Sequence, residues 1–253
     1  MKKTSLIVCL CLFISPISPI FADSQIDRET LYQGSTIEAL LAGNYDGVAT
    51  VEKIKSQGNV GLGTFANLDG EMIILDGVVY KAAKTGKVTA ENDDVQSPFY
   101  SVTFFDADII KKIKTDGMKL NSLKAVLDDL RPRNDLPYAI VIKGKFKSVK
   151  LRSVGPYCPP FPLLSNAVRE QSEFDYTDIS GSLVGFWFPP FMGNTNAAGY
   201  HLHFLSDDCQ KGGHVLDLEM NEAEISLDET PTFNIEFSPY PTKPLEISDS
   251  YKS

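Results

Sequence analysis

All three histidines of this 253-residue chain, His201, His203 and His214, fall within residues 199–218. Side chains two positions apart in a strand project to the same face, so Tyr-His-Leu-His sends His201 and His203 out together. The following Asp-Asp-Cys-Gln-Lys-Gly-Gly reads as a turn, and His214 opens a second apolar run that an antiparallel return brings back beside the pair. Three neutral imidazoles on one sheet face make a half-shell for zinc or a similar divalent ion, with positions left for water or substrate. A lone strand histidine is more often a packed core or interface residue. The metal reading rests on the convergence of all three, with none elsewhere in the chain. Cys209 lies in the turn between the two strands and is set aside as a ligand.

The elements that must position these residues follow from the N-terminus. Lys2 and Lys3, an apolar stretch over residues 5–21 and Ala22 form a secretory signal pattern with a cut near Ala22. Pro16 and Pro19 interrupt the stretch, which is short for a membrane anchor. The mature chain is expected to be secreted or periplasmic, with no membrane attachment. Loss of Lys2 and Lys3 makes the formal charge of −9 more negative by two. Such an acidic protein with no basic stripe argues against nucleic acid or an anionic membrane as partner. Cys9 and Cys11 leave with the signal, so Cys158 and Cys209 remain, and nothing in the sequence says whether they pair.

Ser35, followed three residues later by Glu38, has the capping-box pattern of a short helix, and residues 47–57 read as a second one. From Val60 the period becomes that of strands. Three β-rich runs, starting at Val60, Glu71 and Val78, are separated by Asp69-Gly70 and Asp76-Gly77, both tight-turn signals. Glu71 follows one of these turns and by local pattern reads as a solvated strand end. Residues 97–105 make another strand, and residues 120–130 have helical spacing with Asn121 as a candidate cap. Pro132 and Pro137 mark residues 131–136 as a linker. Residues 137–146 and 148–154 read as a strand pair. In the second, Arg152 lies opposite the apolar face of Leu151, solvated unless that face lines a cleft. Residues 155–164, with four prolines, form a loop lying over something. An aromatic strand over 180–188 leads to the histidine segment, and three short alternating runs follow it: 215–220, 222–227 and 232–237. The whole reads as α+β and strand-dominated: two small domains with mixed or antiparallel sheets and a few short helices. The expected boundaries are a signal at 1–22, a β-rich domain at 23–134, a second β domain carrying the histidines at 135–239, and a tail at 240–253.

Several blocks, in order and spacing, carry a family resemblance: Leu31-Tyr-Gln-Gly-Ser-Thr, Gly61-Leu-Gly-Thr-Phe, Leu68-Asp-Gly-Glu, Val184-Gly-Phe, Gly199-Tyr-His-Leu-His-Phe and Gly212-Gly-His-Val-Leu-Asp. The chain resembles the α-acetolactate decarboxylases from about Leu31 to Phe237. The resemblance implies a homodimeric carboxy-lyase that converts 2-acetolactate to acetoin and carbon dioxide. It implies one zinc, or another divalent metal, held by His201, His203 and His214. It places an acid/base role on Glu71 and an active-site role on Arg152, with the site between the two domains. A 2-hydroxy-3-keto acid suits those residue types: its hydroxyl and ketone oxygens chelate a cation, its carboxylate suits Arg152, and a carboxyl group can return a proton to carbon. Two departures stand out. The family has a glutamate near its C-terminus that this chain stops short of, with Glu246 the nearest acidic candidate, and Gly155-Pro156-Tyr157 replaces the polar residues that usually follow Arg-Ser-Val. The competing readings are a catalytically impaired metal-binding homologue and a zinc hydrolase using the same three histidines.

Overall fold

The computed structural model describes residues 26–238, so the expected signal, the tail over 240–253 and Glu246 lie outside the described residues. The first half of the chain runs β1 (Thr30–Gly34), α1 (Ile37–Leu41), β2 (Ala49–Thr50), α2 (Val51–Lys55), β3 (Val60–Thr64), β4 (Glu71–Leu75), β5 (Val78–Ala82), β6 (Val88–Ala90), β7 (Gln96–Ser97) and β8 (Phe99–Thr103). The second half runs β9 (Ile109–Lys119), α3 (Leu120–Leu130), β10 (Tyr138–Ser153), α4 (Leu164–Arg169), β11 (Ser172–Phe188), β12 (Gly199–Ser206), β13 (Gly212–Glu229) and β14 (Thr232–Glu236). Strand-dominated α+β architecture with a few short helices is therefore what forms.

Two large sheets face each other. The first has seven strands in the order β14-β1-β8-β3-β4-β5-β6, parallel only where β14 joins β1. In the second, β10 is hydrogen-bonded to both β11 and β13, and β12 bridges β11 to the start of β13. These four strands close into a ring, and β9 extends it outside β13. Sheet membership does not follow chain order at two places: β9 joins the ring from ahead of the linker, and β14 returns to the first sheet from the end.

Alternation along the strands sorts side chains into layers. Leu123 and Leu127 of α3 fill the ring interior with Ile140, Ile142, Phe146, Leu151, Leu202 and Phe204. The ring's outer face presents Val141, Val184 and Leu205 to Val60, Ile73, Ala82 and Val88 of the seven-stranded sheet. The far face of that sheet, with Met72 and Ile74, is covered by Val51 and Ile54 of α2. Fully burying a side chain of this size contributes roughly 1.5–3 kcal/mol, so the packing between sheets fixes their spacing, and with it the cleft they share.

Several local expectations change. Ser35 is not the cap of α1: it has a left-handed backbone (φ 62°), and Thr36 accepts from the Ala39 N–H instead. The second helix is confined to α2, capped by Thr50. Lys119, without a side-chain cap bond, precedes α3, so Asn121 is inside the helix. Asp76-Gly77 is a two-residue hairpin turn with positive φ at both residues, the geometry that matches strand twist. At Asp69-Gly70 the link from β3 to β4 is longer and carries a 3-10 turn over Ala66–Leu68. The stretch at 131–136 is anchored: the buried Arg131 guanidinium stacks 3.5 Å from the Trp187 ring centre and donates to Asn134 and Asp128. The strand pair read at 137–154 is one 16-residue strand, and the runs at 215–220 and 222–227 are parts of the 18-residue β13. Cys158 is exposed and Cys209 half-buried, and both are free thiols. Among the described residues no helix is long and apolar enough to cross a membrane.

Candidate functional site

Each functional side chain is aimed by the parity of its strand. In β12, Leu202 and Phe204 point into the ring, so His201 and His203 point out toward the seven-stranded sheet. His214 sits directly across from His203 in the antiparallel pairing of β12 with β13. Arg152 in turn pairs with His214 from the other edge of β13. In β10 the inward set is Ile140, Ile142 and Phe146, then Val149 and Leu151. That switch from even to odd positions coincides with register shifts between Lys145 and Ser148. A bulge inserts a residue and reverses which face later side chains take. Without it Arg152 would enter the ring interior. Gly213 lets the strands close up here, since a Cβ there would stand 2.7 Å from the Arg152 carbonyl oxygen.

Glu71 reaches the same place from the opposite sheet. It opens β4, paired with Thr64 on one side and Ala82 on the other, and shares the ring-facing side with Ile73. It is only 6% exposed, so the solvated strand end suggested by local pattern does not form. Its Oε2 lies 3.5 Å from His203 Nε2, and its Oε1 lies 3.7 Å from the Arg152 guanidinium.

The three histidines form a compact set. One ligand nitrogen from each lies within 4.8 Å of the others, and the ring centres are 5.0–5.3 Å apart. His203 Nδ1 donates to the Met72 carbonyl oxygen at 2.7 Å. A carbonyl can only accept, so the proton is on Nδ1 and the Nε2 lone pair is free, the outer-shell arrangement that orients metal-ligating histidines. His201 Nδ1, His203 Nε2, His214 Nδ1 and Glu71 Oε1 are all buried with no hydrogen-bond partner. Four such orphaned atoms in one place would be costly in a finished core, and a divalent ion held by the three imidazoles would give each of their free nitrogens a partner. The donor set fits zinc.

Electrostatics agree with that fit. Burial, and then the neighbouring Arg152, lowers His201 to about 4. Burial also holds His203 and His214 well below the ordinary imidazole value, with the Arg152 charge and the other imidazoles adding to it. All three are therefore neutral imidazoles at neutral pH, the form a metal ion requires. Burial pushes the Glu71 carboxyl up to about 7 against the opposing pull of Arg152, leaving it able to hold or release a proton.

Glu71, Arg152, His201 and His214 line one end of a cavity of about 190 Å³ between the sheets. Gly63 and Thr64 line it from β3, and Ile37, Leu40, Leu68, Phe99, Val154 and Leu164 form an apolar wall. That volume is below the roughly 300–1,000 Å³ of sites for drug-sized ligands, and suits a compact polar acid with short alkyl groups. Four of the five residues nominated from the sequence line this cavity, and the fully buried His203 stands behind them, its Nε2 3.5 Å from Glu71 Oε2. The apolar wall was not nominated. Its sequence signals are indirect: Ile37 and Leu40 fall in the short helix expected after Ser35, Leu68 in a family block, and Leu164 at the end of the proline-rich loop over 155–164.

Comparison with known proteins gives the same family. The family model for alpha-acetolactate decarboxylase matches residues 31–243. An alpha-acetolactate decarboxylase of Methanosarcina mazei is 42% identical over 208 residues, covering 82% of this chain and 72% of its own. One from Bacillus licheniformis is 37% identical over 219 residues, covering 87% and 85%. The crystal structure of the alpha-acetolactate decarboxylase from Bacillus subtilis strain 168 superposes with a TM-score of 0.84 at 33% identity, covering 88% of this chain and 96% of that one. Family model, relatives and fold agree over the stretch that carries the cavity: the chain belongs to the alpha-acetolactate decarboxylase family of carboxy-lyases.

Proposed function

We propose that the protein decarboxylates 2-acetolactate to acetoin, with a zinc ion held by His201, His203 and His214. The observation that carries this reading is the grouping, beside one small cavity, of three imidazoles each with an unpartnered buried nitrogen, a buried carboxyl and a guanidinium. Held by those three imidazoles, zinc would supply a Lewis acid that stabilises the negative charge developing on the substrate's oxygens. Arg152 binds and orients the carboxylate with a planar cationic donor. The bond from that carboxylate to the hydroxyl-bearing carbon breaks, carbon dioxide departs, and the electron pair spreads into the ketone as an enediolate. Glu71, whose carboxyl is protonated for part of the population near pH 7, gives its proton to that carbon and is reprotonated by solvent. Delivery from one face of the cavity favours one acetoin enantiomer. The apolar wall keeps bulk water away from the carbanionic stage. Zinc-loaded protein is expected to release acetoin and carbon dioxide in equal amounts, and His203→Ala to abolish both. Metal-replete protein that forms no acetoin contradicts the reading.

Export and assembly belong to the same proposal. Lys2, Lys3, the apolar run and Ala22 support cleavage near Ala22, which N-terminal sequencing of the exported protein tests. The family resemblance supports a homodimer, which sedimentation equilibrium tests.

A further inference from the structure

The cavity is built from unequal walls. Its polar end stands on strands of both sheets, locked by cross-strand pairing at Glu71, Arg152, His201 and His214. Its apolar end is assembled around two short helices, with Ile37 and Leu40 from the five-residue α1 and Leu164 from the six-residue α4. Leu40, Leu68, Phe99 and Val154 are buried in a cluster shared with Tyr45 and Ala167, so their positions are set by the core. Leu164 is different. It is only partly buried against that cluster, it opens a helix without a side-chain cap, and its neighbour Leu163 is 50% exposed.

The segment leading to Leu164 is held in place by short-range fits. Gly155 lies against β-sheet connection residue Leu68 so closely that a Cβ would come within 1.7 Å of the Leu68 carbonyl oxygen. The Tyr157 N–H donates to the Asn67 carbonyl oxygen, and its hydroxyl donates to that of Ala167 in α4. The Phe161 ring packs 5.3 Å from that of Tyr45. These contacts place α4 beside the cavity while leaving the Leu164 side chain the least core-bound part of the wall together with Ile37.

We propose that Leu164 is a specificity-determining residue that limits the size of the alkyl groups on the 2-hydroxy-3-keto acid. This rests on the decarboxylase reading, because the polar end must take the hydroxyl, ketone and carboxylate for the alkyl groups to face the apolar wall. Trimming the leucine opens space at that end without touching any group in line with the bond that breaks. One methylene in an apolar pocket changes selectivity by about 10–200-fold.

The test uses the full zinc-loaded chain as wild type, Leu164→Ala and Leu163→Ala, the last changing a residue outside the cavity lining. Two readouts are taken: kcat/KM for 2-acetolactate against its homologue with propyl in place of the C2 methyl, and the Kd values of the corresponding non-reacting 2-hydroxy-2-alkyl acids. For Leu164→Ala, both ratios are expected to move at least about tenfold toward the longer group, with zinc content unchanged and Leu163→Ala behaving as wild type. Unchanged ratios, or equal movement in both variants, overturn the proposal. A shifted binding ratio with no carbon dioxide from any substrate upholds the wall and overturns the decarboxylase reading alone. Leu164→Val, a smaller truncation, gives the same comparison with a smaller expected shift if the alanine variant does not fold.

Discussion

His203 has the most tightly constrained place among the residues of the site. Its Nδ1 proton is committed to Met72 on the opposite sheet, so its Nε2 faces the other two imidazoles in one tautomer. Met72→Ala keeps that carbonyl, whereas His203→Gln removes the ring, so only the second is expected to lower zinc affinity sharply, as read by competition with a chromophoric chelator. Glu71→Gln should keep the shape and the zinc but lose the proton donor, lowering kcat by about 10²–10⁴ with KM little changed. Arg152→Lys replaces a planar fork by a point charge. A hydrogen bond to a charged group is worth about 1.5–3 kcal/mol, so kcat/KM should fall roughly ten- to hundredfold, mainly through KM. The histidines were legible in the sequence because a period of two is enough to place them on one face. Glu71 and Arg152 were legible only through the family blocks, since by local pattern Glu71 reads as a solvated strand end and Arg152 as the solvated side of an alternating strand. What buries them is the opposing sheet, and local pattern has no information about that.

Elements carry the aim of these side chains, and their irregularities matter as much as their regular parts. The shift between Lys145 and Ser148 turns Arg152 toward the cleft, and Gly213 allows β13 to approach the same arginine. Gly213→Ala would drive a methyl against the Arg152 carbonyl and part the strands where His214 and Arg152 pair. The expected cost is about 1–3 kcal/mol, as for overpacking elsewhere, seen as a lower Tm together with weaker zinc binding. Sequence reading broke β10 at Lys147 and β13 near Asn221 because alternation falters there. In the molecule both strands continue through the irregularity, since hydrogen bonds to partners on either side hold them. Two further strands were hidden by polarity. β9 reads Ile-Ile-Lys-Lys-Ile-Lys, and the first half of β11 alternates charged with aromatic residues, the composition of strands with a solvated face. Helix α4 follows the proline-rich loop directly, and its first residue, the wall residue Leu164, reads in the sequence as the end of that loop.

At the scale of the whole molecule, a closed ring packed on an open sheet brings residues 71, 152, 201, 203 and 214 to one cleft. The long separations along the chain mean that stability of the joint between sheets is stability of the site. Asp228 lies at another such joint: it is buried near the end of β13 and accepts from the Asp106 N–H at 3.1 Å. Burial, with nearby Asp108, Glu29 and Asp106, pushes its carboxyl up to about 7 against the help of that hydrogen bond. A carboxyl raised in the folded state stabilises fully only below its unfolded value of 3.8, and the contribution is lost as pH rises through about 7. Asp228→Asn keeps an acceptor without the charge, so thermal melts should show a higher Tm than wild type at pH 8 and a gain that vanishes toward pH 4. Fold class was legible from strand periods and turns. Closure of the ring was not, because pairing β10 with β13 joins segments with no local signal of each other.

The central claim is that three histidines hold one ion on which decarboxylation depends. It is tested most directly by stripping the protein with a chelator and titrating zinc back while measuring acetoin from 2-acetolactate. If His201, His203 and His214 hold that ion, stripped protein is inactive, and activity rises linearly and breaks at one zinc per chain. Full activity in the stripped protein, or none at any zinc loading, would contradict it.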